Sequence, residues 1–392
     1  MQPIVIQAAR ALTPFEEIPD AMVVIHGSKI AAIGQRGKVE LPLGVREINA
    51  GGRTVVPGFV DVHIHGAGGH DVMEGTSEAL EIITATAAEH GTTSLLATTV
   101  TASEKQTRES VAGIAQFIRN TSQYATHELS AEILGIHFEG PFISPARRGV
   151  HPAKWIAAPS TDLLAQFLRE ARGTAQILTL APELPGALDL ILGAREAGLV
   201  VSLGHTDATY EQTQAAIEAG ASHAAHVFNA MRPFSHRGTG VIGAVLTSPK
   251  VSAELIADGV HVDEAAMRIL VELKTPERVI LVSDGISATG MPDGKYQLGM
   301  FEVKVSAGVA RNAEGKLAGS TLTLDRALQN MVALGVPLSS ALRMATANPA
   351  RQMGLAARKG VLAPGADADL VFLDDKLQVC GVMTRGAGLT LA

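Results

Sequence analysis

Six residues whose side chains bind metal ions or transfer protons follow apolar, strand-like segments of this sequence. The first of these segments begins at Val55, is rich in β-branched residues and carries His63 and His65. Successive side chains of a strand alternate between its faces, so these two imidazoles should project from the same side. Two charged imidazoles would repel each other there, whereas two neutral ones suit a divalent cation. The alternative interpretation is that both are core histidines whose ring nitrogens are hydrogen-bonded within the protein.

The other four residues end or follow further apolar segments: Glu139, His205, His226 and Asp284. Four neutral histidines and one carboxylate make a nitrogen and oxygen ligand set, which suits Zn²⁺ or Fe²⁺ and is compatible with Mn²⁺ or Co²⁺. Glu139 could bridge two ions, one held by His63 and His65 and the other by His205 and His226. Two ions about 3.5–4 Å apart would share a water whose pKa falls toward ~7. Asp284 could take that water's proton and return it to a leaving group.

The elements that must position these residues alternate between strands and helices from about residue 58 to residue 354. Counting from the strand of His63, the other predicted strands are 92–100, 131–139, 177–182, 200–205, 223–228, 251–257 and 278–284. This alternation predicts a parallel sheet, and eight such units over about 300 residues fit a (β/α)8 barrel of the α/β class. The carboxyl ends of barrel strands form the active-site face, so the six residues should meet there.

Both ends of the chain differ from the middle, because they consist of short predicted strands and turns without helices. Residues 1–56 and 355–392 are therefore predicted to form one small β-sandwich domain beside a barrel of residues 57–354, with Gly27-Ser28 as a hairpin turn. Residues 286–319 interrupt the alternation of strands and helices and are rich in glycine. We interpret them as an insertion over the barrel mouth. Two roles stay possible for it, a lid over the site or a surface segment without a function of its own.

Composition excludes several classes of protein. The chain has 392 residues, of which 46% are hydrophobic. Its net charge is −7 and the sequence contains no basic block, so it lacks the cluster of positive charge that nucleic-acid binding requires. The single cysteine, Cys380, excludes an internal disulfide framework and indicates a reducing compartment. Neither a signal peptide nor a membrane-spanning apolar run is recognisable, so we expect a soluble cytoplasmic protein without a membrane partner.

Three residues on predicted loops could contact a substrate. His151 follows the third strand and could polarise a carbonyl group, and His261 lies just beyond the seventh strand. Arg237 lies in a glycine-rich segment that could offer N–H donors and a guanidinium fork to a phosphate group. For each of them an ordinary loop or surface role is the alternative.

Several motifs together carry a resemblance to a known family. They are Pro-Gly-Phe-Val-Asp-x-His-x-His-Gly from residue 57, His-Phe-Glu-Gly-Pro-Phe at 137–142, Gly-His-Thr at 204–206, His-Val-Phe-Asn-Ala-Met at 226–231, Asp-Gly-x-His at 258–261 and Ser-Asp-Gly at 283–285. Over nearly its whole length the sequence resembles the N-acetylglucosamine-6-phosphate deacetylases of the amidohydrolase superfamily. The Glu-Gly-Pro-Phe and Phe-Asn-Ala-Met blocks are specific to these deacetylases, whereas the first His-x-His belongs to the superfamily broadly.

The resemblance implies hydrolysis of N-acetyl-D-glucosamine 6-phosphate to D-glucosamine 6-phosphate and acetate, with a metal-bound hydroxide attacking the amide carbonyl. Asp284 would be the catalytic acid and base, and His151 would polarise the acetyl carbonyl. Glu139, His205 and His226 would be the ligands common to the family, and His63 and His65 make the sequence similar to members with two metal ions. The implied substrate contacts are Val150, His151, Asn229, Ala230, Arg237, Asp258, His261, Leu317, Ala318 and Gly319.

The resemblance also implies a homodimer in which Arg237 reaches the phosphate of the neighbouring subunit's substrate, while residues 317–319 close over the ligand. Three alternatives stay open. The first is a deacetylase of another N-acetyl-hexosamine 6-phosphate, such as the galactosamine epimer. The second is a cyclic amidohydrolase, whose bridging lysine on strand four is missing from residues 177–183. The third is a non-catalytic scaffold relative, although none of the expected ligands is missing here.

Overall fold

The structure is a computed structural model and describes residues 2–121, 129–389 and 391. The strands of the first and last segments are β1 (Ile4–Leu12), β2 (Glu17–His26), β3 (Lys29–Gln35), β4 (Arg46–Asn49), β5 (Thr54–Pro57), β19 (Leu370–Leu373) and β20 (Val379–Met383). The strands between them are β6 (Phe59–Ile64), β7 (Gly66–Ala67), β8 (His70–Asp71), β9 (Thr92–Thr99), β10 (Glu132–Glu139), β11 (Ala175–Leu180), β12 (Val200–Leu203), β13 (His223–Ala224), β14 (Ser252–Leu255), β15 (Val279–Leu281), β16 (Gly294–Leu298), β17 (Phe301–Ser306) and β18 (Val309–Arg311).

Several of the helices begin directly after a residue whose side chain accepts a hydrogen bond from a free N–H group of the first turn. The helices are α1 (Ser77–Glu89), α2 (Glu104–Thr121), α3 (Thr161–Ala171), α4 (Ala187–Glu196), α5 (Tyr210–Ala219), α6 (Gly240–Thr247), α7 (Glu264–Lys274), α8 (Leu324–Ala333), α9 (Leu338–Ala345) and α10 (Ala347–Gln352). Ser160 accepts a hydrogen bond from the amide of Leu163 at the start of α3. None of the helices in the described ranges is long and apolar enough to cross a membrane.

Eight parallel strands form the central sheet, in the order β6-β9-β10-β11-β12-β13-β14-β15. The first and last strands approach each other at their carboxyl ends, where the amide of Asp284 donates to the carbonyl of His63 at 2.9 Å. The Asp61 carboxylate strengthens this seam, because it accepts hydrogen bonds from the amides of His63 and Ser283. The predicted (β/α)8 barrel is confirmed.

Several of the barrel strands are shorter than the sequence suggests, and strands six and eight differ most. We predicted that strand six extends to residue 228 and contains His226, but β13 ends at Ala224. The chain leaves the ladder there because the amide of His226 donates to the carboxylate of Glu254, at 3.0 Å. His226 therefore lies in a turn beyond the strand, and β15 likewise ends before Asp284.

Strands from both termini form one seven-stranded sheet in the order β20-β19-β5-β1-β2-β3, and β4 pairs with β1. Its two faces carry separate apolar clusters, one around Ile6, Ile25 and Phe372 and the other around Val5 and Val24. Strand β5 runs through Pro57-Gly58 into β6, so this sheet is joined directly to the first barrel strand. The exact domain limits of residues 1–56, 57–354 and 355–392 stay a prediction.

The segment 286–319 contains the three-stranded antiparallel sheet β16-β17-β18. Its apolar face packs against Met73 and Val100, which follow β6 and β9, and against Val150 and Trp155, which follow β10. The insertion thus covers loops that follow the carboxyl ends of barrel strands, as the sequence predicted.

Candidate metal centre and active site

Glu139 ends β10 and lies at the centre of the converging side chains. Its Oε1 is 3.0 Å from Nε2 of His205 and 2.9 Å from Nε2 of His226. Nε2 of His63 lies 3.4 Å from the same oxygen. The other oxygen, Oε2, is 3.5 Å from Nε2 of His65. The structure therefore brings together the five residues that the sequence predicted as metal ligands.

Asp284 lies beside the two histidines of the first strand. Its Oδ1 is 3.2 Å from Nε2 of His65 and 3.6 Å from Nε2 of His63. Its backbone carbonyl accepts a hydrogen bond from the amide of Ser320 at 2.8 Å, which ties the residue to the segment after the insertion. The side chain is only 11% exposed, so its carboxylate faces the site rather than bulk water.

Three of the histidines have one ring nitrogen committed to an oxygen that can only accept a hydrogen bond. Nδ1 lies 2.8 Å from the Glu254 carboxylate in His63, 3.0 Å from the carbonyl of Thr98 in His65 and 3.0 Å from the carbonyl of Arg147 in His205. Nδ1 must therefore carry the proton, and in a neutral ring Nε2 points its lone pair into the site.

This arrangement fits a divalent cation. Lone pairs on Nε2 face carboxylate oxygens across gaps of about 3 Å, which is repulsive unless a positive charge lies between them. Nε2 of His63 is fully buried and makes no hydrogen bond to any residue that the structure describes. Committed Nδ1–H groups are also what metal-binding histidines show in other proteins. The described ligand set therefore supports the predicted metal site, and the identity and number of the ions stay predictions.

His151 has the opposite orientation. Its Nδ1 accepts a hydrogen bond from the amide of Thr101 at 3.2 Å, so the proton lies on Nε2. That nitrogen is 3.1 Å from Oε2 of Glu139 and can donate to it. His151 therefore presents a hydrogen-bond donor to the site, which is the chemistry needed to polarise a carbonyl group.

Burial and charge oppose each other at the two central carboxylates. Burial raises the pKa of Glu139, but the histidines around it, His205 above all, hold that pKa well below its usual value. Glu254 behaves in the same way, because His63 and His223 outweigh the effect of its complete burial and lower its pKa. Burial lowers the pKa of His137 to about 3, so this ring stays neutral behind the site.

Left-handed backbone conformations cluster at the site. The φ angles are +47° at His205, +26° at His226, +48° at Ala230 and +50° at Asp284. Non-glycine residues avoid this region because it costs about 1–3 kcal/mol, and functional sites are where such strain is usually retained. The sharp turns that it allows aim these side chains inward from the strand ends.

Several predicted substrate contacts lie close to the converging residues. The Asn229 side chain donates to the carbonyl of His226, and the carbonyl of Ala230 accepts from the amide of Thr206 next to His205. Val150 packs on the apolar core of the insertion. Leu317, Ala318 and Gly319 lead into Ser320, which pairs with the backbone at Asp284 and Ile286.

Three other predicted contacts lie in two separate cavities. Asp258 and His261 form a 2.7 Å pair in a cavity of about 260 Å³ that Ser320 also lines. Arg237 is exposed on a turn, and it lines a cavity of about 470 Å³ with Arg232 and residues 209–211. Among the described residues of one chain, those that line this second cavity include neither Asp284 nor any of the five predicted metal ligands.

Glu254 and its partner His223 were missed by the sequence reasoning as contributors to the site. Glu254 lies within the apolar strand β14 and is completely buried. A carboxylate in such a segment is costly without hydrogen-bond donors or a cation, and this signal could have identified it.

Comparison with known proteins agrees with the fold. The model of the amidohydrolase family matches residues 54–387, which is most of the sequence. The chain therefore belongs to the amidohydrolase family. Strand β11 contains no lysine, and the hydroxyl of its Thr179 is hydrogen-bonded to His137 at 2.7 Å.

Several proteins that are similar to this chain are deacetylases of phosphorylated amino sugars. N-acetylglucosamine-6-phosphate deacetylase of Lysinibacillus sphaericus is 38% identical over 91% of this chain and 89% of its own length. N-acetylgalactosamine-6-phosphate deacetylase of Escherichia coli O157:H7 is 37% identical over 97% of this chain and 98% of its own length. A mutant N-acetyl-D-glucosamine-6-phosphate deacetylase of Mycobacterium smegmatis, solved in complex with N-acetyl-D-glucosamine-6-phosphate, is 38% identical with a TM-score of 0.92 and full coverage of both chains.

Proposed function

We propose that this chain hydrolyses N-acetyl-D-glucosamine 6-phosphate to D-glucosamine 6-phosphate and acetate. The observation that carries the proposal is the convergence of four histidines on Glu139, with Asp284 directly beside them. The substrate class comes from the relatives, which act on N-acetylated amino sugars with a 6-phosphate.

We propose two divalent ions, Zn²⁺ or Fe²⁺, as the cofactors. His205 and His226 share Oε1 of Glu139 and would hold one ion, while His63 and His65 would hold the other with Glu139. When bound, such ions polarise a carbonyl oxygen and lower the pKa of a water molecule toward ~7.

Asp284 is assigned the proton transfers of the reaction. Its carboxylate takes a proton from the attacking water as the C–O bond forms, and it returns that proton to the amide nitrogen so that the C–N bond breaks and the amine leaves. His151 donates its Nε2–H to the carbonyl oxygen, where negative charge develops.

The sugar and its phosphate would occupy the space between the site and the loops after strands six to eight. Asn229, Ala230 and His261 are assigned to the sugar phosphate, and residues 317–319 to a segment that closes over it. We propose that the enzyme is a homodimer in the cytoplasm, with Arg237 binding the phosphate in the neighbouring subunit's site. The exposure of Arg237 leaves its guanidinium free for that contact.

The dimer proposal can be tested by mixing two inactive variants, Arg237→Met and Asp284→Asn. A mixed dimer would contain one site with both an intact Asp284 and an intact Arg237 from its partner. Refolding equal amounts together should restore about a quarter of the wild-type kcat/KM if the dimer has two equivalent sites. No recovery above the separate variants would contradict the shared phosphate site.

N-acetyl-D-galactosamine 6-phosphate is the second candidate substrate, because one relative of nearly full coverage is named for it. The experiment that decides is acetate release from the 6-phosphates of N-acetyl-glucosamine, N-acetyl-galactosamine and N-acetyl-mannosamine. We expect the highest kcat/KM with the glucosamine epimer. Absence of acetate release from all three would contradict the proposed function.

A further inference from the structure

Glu254 contacts three donors although it contributes nothing directly to the inside of the site. Its Oε2 accepts from Nδ1 of His63 at 2.8 Å and from the amide of His226 at 3.0 Å. Its Oε1 accepts from Nε2 of His223 at 2.8 Å. A buried carboxylate is stable only when such donors surround it, and these three satisfy it.

We propose that Glu254 is a positioning residue that fixes two of the metal-binding histidines at once, and that zinc affinity depends on its negative charge. It holds the ring of His63 with Nε2 aimed into the site, and it holds the backbone of His226 in the turn beyond β13. This inference rests on the proposed metal-dependent hydrolysis and adds to it a residue outside the predicted site.

The negative charge acts on His63 through the shared hydrogen bond. A carboxylate on Nδ1–H makes the imidazole a stronger electron donor at Nε2, and removal of such partners typically costs 10–100-fold in metal affinity. Because the bond also fixes the tautomer, loss of the acceptor would let the proton move to Nε2, where it would block ligation.

The variant Glu254→Gln separates charge from shape. The amide of His226 can only donate, so the glutamine oxygen must stay at the Oε2 position and its NH₂ group must face His223, whose Nε2 can accept from it once the ring proton moves to Nδ1. His63 then keeps its acceptor but loses the charge behind it. Glu254→Leu removes both the acceptor and the charge.

The experiment titrates metal-free protein with Zn²⁺ in competition with a chromogenic chelator. For Glu254→Gln we expect a folded metal-free protein, with a small loss of Tm because Nδ1–H of His223 has no partner among the described residues, and a dissociation constant for Zn²⁺ that is ~10–100-fold higher. For Glu254→Leu we expect an equal or larger loss, and if this variant does not fold, Glu254→Gln decides alone.

The matched control is Thr179→Val, which removes the hydrogen bond to His137 behind the same histidines without touching Glu254. It should bind Zn²⁺ within about threefold of wild type, since His137 is not held by Glu254. A change of less than about threefold in Glu254→Gln, or an equal loss in the control, would overturn the inference. Failure of the deacetylase proposal would appear instead as an inactive wild-type enzyme.

Discussion

The histidines of the site differ in what their Nδ1 atoms contact, and this difference separates two roles. His63 and His205 donate from Nδ1 to oxygens and present lone pairs on Nε2. His151 accepts at Nδ1 from a backbone amide and presents a proton on Nε2. The first kind of ring can bind a cation, and the second can bind a developing oxyanion.

This difference predicts that asparagine substitutions at His205 and His151 affect different properties, zinc binding in the first case and turnover in the second. His205→Asn should lower the zinc content measured by mass spectrometry, because a lone pair aimed at the ion is lost. His151→Asn should keep its zinc but lose ~10²–10³-fold in kcat, the usual cost of one oxyanion donor. Loss of zinc from His151→Asn would contradict the donor assignment.

Residue types and strand ends were sufficient to predict the six converging residues, because each of them follows an apolar segment. Glu254 could not be assigned in this way. Its role depends on the pairing of β13 with β14, which places His223 opposite Ser252 and next to the carboxylate. The register between two neighbouring strands depends on residues far apart in the sequence, so it cannot be deduced from the residues of one strand alone.

At the scale of elements, the segment that follows the insertion is tied to the backbone of Asp284. Ser320 donates to the carbonyl of Asp284, and the amide of Ile286 donates to the carbonyl of Ser320. Gly319 has a φ angle of +59°, and a Cβ atom there would lie 2.3 Å from the side chain of Ile286 and 3.0 Å from the carbonyl of Asp284. The close approach of these backbones therefore requires glycine.

Gly319→Ala should push this segment away from Asp284. We expect a loss of about 1–3 kcal/mol in the free energy of unfolding together with a lower kcat, from strain and overpacking. Gly315→Ala is the matched control, since its φ angle is +78° but its added Cβ meets nothing within 4 Å. Equal effects of the two substitutions on kcat would contradict the coupling to Asp284.

Strand lengths were the least predictable feature of the fold. The sequence predicts six residues in strand six and seven in strand eight, at 223–228 and 278–284, whereas the structure pairs only His223–Ala224 and Val279–Leu281 there. The apolar runs continue past these strands because the turns that follow are also buried. Hydrophobicity therefore reports burial at these positions rather than sheet pairing.

At the scale of the whole molecule, a buried lysine links the barrel to the terminal sheet. Lys359 is 1% exposed, and its Nζ lies 2.7 Å from Glu132 of β10, 2.9 Å from Asp367 and 2.7 Å from Asp369. Asp367 also binds Lys29 of β3 at 2.6 Å. The contact between Lys29 and Asp367 joins segments more than 300 residues apart. We therefore expect these ion pairs to contribute to the free energy of unfolding of the whole chain.

Lys359→Met would leave three carboxylates without their buried cation. We expect a loss of roughly 3–5 kcal/mol in the free energy of unfolding, the cost of breaking a buried pair from one side. The control Lys295→Met removes an exposed pair with Glu302 and should change stability by less than about 1 kcal/mol. Urea denaturation measures both, and equal losses would contradict the account.

Acid should weaken the same cluster. Burial opposes ionisation of Asp367, but Lys359 and Lys29 lower its pKa to about 2 from the ordinary 3.8. A lowered pKa in the folded state stabilises the protein above about pH 4, and this contribution is lost as the pH falls toward about 2. Asp369, whose pKa is raised by burial, offsets part of the effect.

Denaturation midpoints measured between about pH 5 and pH 2 should therefore fall steeply in the wild type below about pH 4. In Lys359→Met the fall should begin at higher pH, because Asp367 loses one of the cations that keep its pKa low. Parallel pH profiles for the two proteins would argue against this role of Lys359.

The central claim is that Asp284 transfers protons at a metal site formed by side chains from five barrel strands. The most direct test is acetate release from N-acetyl-D-glucosamine 6-phosphate by Asp284→Asn, compared with wild type at equal zinc content. We expect kcat/KM to fall by ~10³–10⁴-fold, because the amide can neither accept nor return the proton. Near-normal turnover by a zinc-loaded Asp284→Asn protein would contradict the account.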